Sequence, residues 1–332
     1  MPVKVGIPRA LLYYYYYPLW RTFFEELGAE VVLSSPSTKG VLTEGLKYAV
    51  DEVCLPVKLT FGHVLDLAGK VDLIFLPRLI SVKKAEYICP KFLGLPDMIR
   101  RLAGIPPLID VNIDRYKSNN DICLAVKEVG RLFTHNHFKI WLAYRRSLKV
   151  HRRYFRLLEL GLMPAEALAV LKDRVKNEPL PEPEKITVAL IGHPYNIHDP
   201  YVSMNIIGRL RTLGANVITA ECLPEKTAGS YASRLPKKLF WTLGQRMMGA
   251  ALYYLERPDL SGMIHVAAFG CGPDSMTGEL IERRARTMGM PFLSLTLDEH
   301  TGEAGVITRL EAFLDMVSWK MAGTVGAIKS SS

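Results

Sequence analysis

The stretch VGIPRALLYYYYYPLWRTFFEELGAEVVLS (5–34) returns, in altered form, as LIGHPYNIHDPYVSMNIIGRLRTLGANVITA (190–220). Each has an apolar strand pattern, Gly-x-Pro, a tyrosine-bearing turn, an amphipathic helix and then Leu-Gly-Ala-x-Val. A glycine at the helix end takes the left-handed conformation readily, so the chain reverses and enters the next strand at once. Finding this unit twice predicts two similar Rossmann-like lobes.

The flanking sequence extends both copies. The first continues through apolar runs at VDLIFLPRL (71–79) and PPLIDVNI (106–113), with helical patterns near 11–27 and 41–50. The second reads ITVALIGHPY (186–195), NVITAE (216–221), GMIHVAAFG (262–270) and FLSLTLDE (292–299), with helices near 202–213, 235–256, 276–288 and 303–321. Continuous apolar strands alternating with helices indicate a parallel sheet covered on both faces. Between the copies, 116–178 has no strand pattern and is rich in Leu, Ala, Arg and Lys, and EPLPEPEK (178–185) cannot continue a helix.

The expected fold is therefore α/β: two flavodoxin-like parallel-sheet lobes related by a pseudo-repeat, joined by a helical segment, with a cleft between them. The expected parts are an N-terminal lobe (1–115), a helical insert and linker (116–183), a C-terminal lobe (184–324) and a tail (325–332). Ligands of open parallel sheets collect at loops leaving the carboxyl ends of strands, here after Ile7, Leu79, Ile191 and Phe269.

Tyr13 to Tyr17 are five consecutive aromatics, and at about 100° per residue they cannot share one helix face, so most should pack rather than form a stacking platform. The net charge of +9 raises the question of acidic partners. Much of it lies in WLAYRRSLKVHRRYFRLLE (141–159), where bases between apolar residues at helical spacing mark the solvated side of an amphipathic helix. No nucleic-acid reading motif accompanies them, and no nucleic-acid partner is expected. No run of about 18 uncharged apolar residues occurs, and MPVKVGIPRALL enters a strand pattern directly, so the expected location is cytoplasmic, without a membrane.

Five scattered cysteines in a chain of 332 residues argue against a disulfide framework and toward metal or redox use. Cys54 in DEVCLPVK, Cys89 in YICPKFLGLPD and Cys271 in FGCGPDS share a style, with proline one or two residues later. Gly270, Gly272 and Pro273 would keep the last loop open to an inorganic core. Cys123 lies among apolar residues and reads as a buried thiol, while Cys222, two residues before a proline, is a reserve ligand. Structural zinc commonly uses tight Cys-x-x-Cys pairs, and none is present. A nucleophilic cysteine with His193, His198 or His300 as base would leave the other two loops unexplained. A [4Fe-4S] cluster tolerates ligands from separate loops, and ordinary loop cysteines remain the plain alternative.

The motifs GIPRALLYYYYYPLWRTFFEELG, DEVCLPVK with GHV, VDLIFLPR, CPKFLGLPDMIR, FGCGPDS and LDEHTGEAGVITRLEAF strongly resemble the acyl-CoA dehydratase activase-related proteins. These sit in the wider group of 2-hydroxyacyl-CoA dehydratase and benzoyl-CoA reductase subunits and double-cubane cluster proteins. The resemblance runs from Val3 to about Trp319. It implies a [4Fe-4S] cluster with Cys54, Cys89 and Cys271 as metal ligands. It also implies electrons received from an ATP-dependent activase and spent on a difficult reduction or dehydration, in dehydratases through a ketyl radical of a 2-hydroxyacyl-CoA. The alternatives are a relaying or scaffold subunit and a zinc protein; the implied partners are the activase, an acyl-CoA or other small molecule, and a homo- or heterodimer mate.

This sequence departs from the group in two respects. A double cubane wants about six cysteines, more than this chain has. No Gly-x-x-x-x-Gly-Lys-Ser/Thr loop is present, so the ATPase is expected to reside elsewhere. Asp298, Glu299 and Glu303 precede the last helix and suit its positive end; Glu299 or His300 is alternatively a proton donor to a reduced substrate. Arg9 and Arg78 follow strands and read either as anion contacts or as ion pairs, and Asp274 and Ser275 suit a helix start behind Cys271.

Overall fold

The computed structural model describes residues 1–116, 121–172 and 186–329, with side chains through 322. The linker EPLPEPEK at 178–185 and the last three residues of the predicted tail lie outside the described residues. The chain divides into two compact units, Met1–Lys176 with Leu239–Leu243, and Asn177–Lys238 with Gly244–Ser332.

In the first unit, β1 (Lys4–Ile7) leads to α1 (Tyr13–Leu27), which ends where Gly28 adopts φ +94° and the Gly28 and Ala29 amides donate to Glu25 and Phe24. The turn delivers β2 (Glu30–Leu33) parallel to β1, with Lys4 opposite Glu30 and Ile7 opposite Leu33. Next come α2 (Lys39–Leu46), α3 (Leu55–Leu67), β3 (Leu73–Phe75), β4 (Arg78–Ser81), α4 (Pro90–Ile99), β5 (Leu108–Ile109) and β6 (Asn112–Asp114). The sheet runs β2-β1-β3-β5, all parallel, and β4-β6 continues the β3-β5 pair. The two apolar runs expected as single strands are thus each divided in two. Pro77 has no amide to give, but the Leu76 and Arg78 amides still donate to Ile109 and Val111, so the register carries across the break.

Helices α5 (Asp121–Arg131), α6 (His137–Glu159) and α7 (Pro164–Leu171) follow in the same unit. The tyrosine run seats α6 on α1: Tyr15 stacks on Phe155, Tyr16 on His151, and the Tyr154 hydroxyl donates to the Tyr14 carbonyl at 2.7 Å. Tyr13 and Tyr17, one turn apart, meet at 4.9 Å, and burial pushes the Tyr13 hydroxyl up to about 12. Helix α6 buries Ile140, Ala143, Tyr154 and Leu158 and exposes Arg145, Arg146, Arg152, Arg153 and Arg156, the amphipathic arrangement its spacing predicts. Cys123 is exposed on α5, which corrects its reading as a buried thiol; Ala125 and Val129 occupy the inward face instead.

The second unit contains β7 (Ile186–Gly192), α8 (Pro194–Ile197), α9 (Ile206–Thr212), β8 (Ala215–Thr219), α10 (Glu225–Ala232), all but the first two residues of α11 (Thr242–Leu255), β9 (Gly262–Ala268), α12 (Gly272–Thr287), β10 (Phe292–Leu297) and α13 (Glu303–Lys329). The single helix expected over 235–256 is preceded by a separate α10, and α13 runs past its expected end at 321. The sheet order β8-β7-β9-β10, parallel throughout, reproduces the β2-β1-β3-β5 order of the first unit. The pseudo-repeat is therefore a repeat of topology. Val188, Leu190, Ile264 and Val266 are fully buried, as strands covered on both faces require. In this order the chain leaves β7 for β8 on one side and returns to β9 on the other, so the switch point lies between β7 and β9.

Candidate metal-binding site

Cys54, Cys89 and Cys271 hold one structural position three times: each is the residue immediately before a helix, with proline at the first or second helical position. Proline there loses nothing, because the first amides of a helix have no partner within it, and its fixed φ is already helical. Cys271 follows a strand and opens a helix as the sequence indicates, and the other two likewise open helices. Cys54 starts α3 and Cys89 starts α4, while Cys271 starts α12 after β9.

In the first unit, Cys54 and Cys89 are near enough that a charge on Cys89 raises the Cys54 thiol. Burial is the larger cause for both and pushes both thiols up; the Lys91 charge and the amides of Val57 and Lys91 oppose it. Such thiols are poor nucleophiles. The approach to Cys89 is pinned by Tyr87, whose amide donates to Phe240 at 2.7 Å and whose carbonyl accepts from Thr242 at 2.9 Å.

In the second unit, Cys271 is buried at the switch point, beside groups from three elements. An imidazole nitrogen of His193, the Sγ of Cys271 and a carboxylate oxygen of Asp274 all lie within 4.8 Å of one another. His193 follows β7 directly, and Asp274 stands in the first turn of α12. His265, inside β9, brings its Nε2 to 3.5 Å from Asp274 Oδ1, and Asn196 Nδ2 lies 3.5 Å from Oδ2. Burial alone would raise the Asp274 acid; His193 and His265 outweigh it and hold the carboxyl below the usual range. Burial pulls His193 below the usual imidazole range, against the opposing charge of Asp274.

Gly270 takes φ +73°, a left-handed turn ahead of Cys271, whereas a Cβ on Gly272 would meet nothing within 4 Å. Pro273 is the second residue of α12, and the Ser275 hydroxyl donates to the Cys271 carbonyl at 2.9 Å. Glu299 and His300 follow β10. Asp298 Oδ1 accepts from the His300 amide at 3.0 Å and the Thr301 hydroxyl at 2.7 Å, which closes the turn, and His300 is exposed. Glu303 pairs instead with Arg209. Arg9 donates to the Ser34 carbonyl at 2.7 Å, and Arg78 forks onto Asp97 with both nitrogens at 2.6 Å, so both arginines hold loops in place. Cys222 accepts from the Thr219 amide at 3.4 Å, and its thiol is pushed up by burial.

Sequence reasoning singled out the cysteines but missed Asp274 and His265 as partners of His193. These residues are brought together by strand order, and a histidine inside a strand carries no local signal.

A family model described as CoA enzyme activase uncharacterised domain matches residues 4–223. The match contains Cys54, Cys89 and His193 and ends before Cys271. No curated protein matches the chain.

Proposed function

Because the chain belongs to the CoA enzyme activase family, which fits the acyl-CoA dehydratase group, we propose that it is an iron-sulfur protein of that group. In this reading Cys54, Cys89 and Cys271 are thiolate donors to a [4Fe-4S] cluster. The protein takes low-potential electrons from an ATP-dependent activase and applies them to a difficult reduction or dehydration, with an acyl-CoA as the substrate class. The observation that supports it is the threefold recurrence of an undisulfided cysteine immediately before a proline-started helix.

The donor set fits such a group. Soft thiolates select iron-sulfur clusters, zinc or copper(I), and the amides of a helix start favour the negative charge that a thiolate-bound cluster carries. When bound, the cluster supplies one-electron chemistry at low potential. The protein's own part is to hold thiols ready, exclude water and supply positive charge. Burial keeps the Cys54 and Cys89 thiols protonated until a metal replaces the proton, and Lys91 places a cation beside both.

Anaerobic reconstitution followed by iron and sulfide analysis and a visible spectrum tests the reading. Both elements and a broad charge-transfer absorption are expected; their absence sinks it. Reoxidation of the reduced protein on adding acyl-CoA thioesters separates a catalytic role from a relay.

A further inference from the structure

The second unit contains a polar group, His193, Cys271 and Asp274, of which the cluster reading uses only Cys271. Asp274 is fully buried with its Oδ1 3.5 Å from the Nε2 of His265, and the Nδ1 of His193, which is 4% exposed, has no hydrogen-bond partner among the described residues. Buried polar atoms are nearly always paired, and a buried imidazole grouped with a thiol and a carboxylate, one ligand atom of each within 4.8 Å of the others, asks for a ligand that all three can bind. An anion would be repelled by the carboxylate.

We propose that His193, Cys271 and Asp274 form a mononuclear site for a divalent transition-metal ion of the zinc or iron(II) class, complete within the second unit. The sulfur, nitrogen and oxygen donors suit a borderline cation. Three protein ligands leave the fourth position open, as in sites where a metal binds water or substrate. His193 Nε2 and Asp274 Oδ1 stand 3.9 Å apart, against the roughly 3.3–3.8 Å that metal bonds of about 2.0–2.3 Å give across a tetrahedral ion. His265 stands behind the carboxylate and sets its orientation, the role an outer imidazole plays toward a ligating acid.

The site goes beyond the cluster proposal and competes with it for Cys271. A divalent ion held there occupies the sulfur that a cluster needs, so zinc loading and cluster assembly exclude one another at that residue.

Cobalt(II) added anaerobically to the metal-free full-length protein is the probe, because a cobalt-thiolate bond gives a charge-transfer band absent from oxygen and nitrogen sites. One cobalt per chain with that band is expected. The His193→Ala and Asp274→Asn variants should lose at least tenfold in affinity, as should Cys271→Ser, which also loses the band. The His193→Cys variant restores a donor and should recover binding with a stronger band, which guards against loss through misfolding. The Cys54→Ser/Cys89→Ser double variant should bind cobalt as the parent does while failing to assemble a cluster. Undiminished binding in His193→Ala and Asp274→Asn, or loss of the band in the double variant, overturns the proposal. Iron and sulfide content reads the cluster proposal separately.

Discussion

Cys54 and Cys89 occupy the same position at the starts of α3 and α4, each half-buried, and a charge on the second raises the first. Both thiols are therefore protonated in the metal-free protein near neutral pH. Metal uptake must release those protons, so affinity falls as pH falls, by up to about tenfold per pH unit for each thiol displaced. Chelator competition across the neutral and alkaline range measures the slope. A pH-independent affinity would mean that neither thiol is a ligand.

Replacing Cys54, Cys89 or Cys271 with serine should remove or deform the bound cluster, and Cys123→Ala, on the exposed face of α5, should leave it intact. Iron per chain after reconstitution, with circular dichroism to confirm folding, decides the matter. Equal iron in all four variants discredits the assignment.

Helices α2 and α3 cross where Gly45 and Gly62 face each other's backbone: a Cβ on Gly62 would lie 1.9 Å from the Val41 carbonyl oxygen, and one on Gly45 2.2 Å from that of Lys58. Neither obstacle is a flexible side chain. Gly62→Ala should destabilise by about 3 kcal/mol or more, because the helices that begin at and lead to Cys54 must separate. Gly229→Ala, exposed on α10 with nothing within 4 Å, should be neutral or stabilising by up to about 1 kcal/mol. Urea titrations of the two variants provide the contrast.

His63 is fully buried between the Ser34 and Ser37 hydroxyls, each 3.0 Å from a ring nitrogen. Burial lowers it to about 4, helped by Arg9 and opposed by Asp66. Above about pH 6.5 the ring is neutral in both folded and unfolded chains. Between that value and about 4 the unfolded chain takes up a proton that the folded one refuses, so stability is lost as pH falls, by about 3 kcal/mol over the window. Glu221, held to about 2 against the pull of its own burial by His198 and Arg246, adds a second loss between about pH 4.5 and 2. Denaturation at pH 7, 5.5 and 4.5 should show the first loss in the parent and a smaller one in His63→Gln.

Gly278 lies flat against the His265 ring, and a Cβ there would come within 2.4 Å of Cε1. The ring is buried inside β9 and cannot swing away freely. Gly278→Ala should cost about 1–3 kcal/mol and weaken cobalt binding through Asp274, with the band position shifted although no ligand has changed. An unaltered cobalt spectrum would leave His265 without an orienting role.

The repeat was readable because it is written in residues that act locally: Gly28 and Gly214 both stop a helix with positive φ and release a parallel strand. Helix α3 was not, because it is buried along most of its length, from Leu55 through Val64, so it shows no polar stripe and no 3.6-residue period. The prolines beside the cysteines pointed both ways. Pro56, Pro90 and Pro273 forbid the middle of a helix but suit its first turn, and only the structure distinguishes the two. The grouping of His193, His265 and Asp274 depends on which strands are neighbours, and pairing across a sheet leaves no mark on the sequence beside any one of them.

The residues that pin Tyr87, from Leu239 to Leu243, belong to the first compact unit although most of the second unit's early chain is made before them. On the ribosome, the peptide groups flanking Tyr87 must wait for partners synthesised some 150 residues later. A gene fragment ending near residue 176 would therefore express an unfinished unit, open at the strand that leads into Cys89.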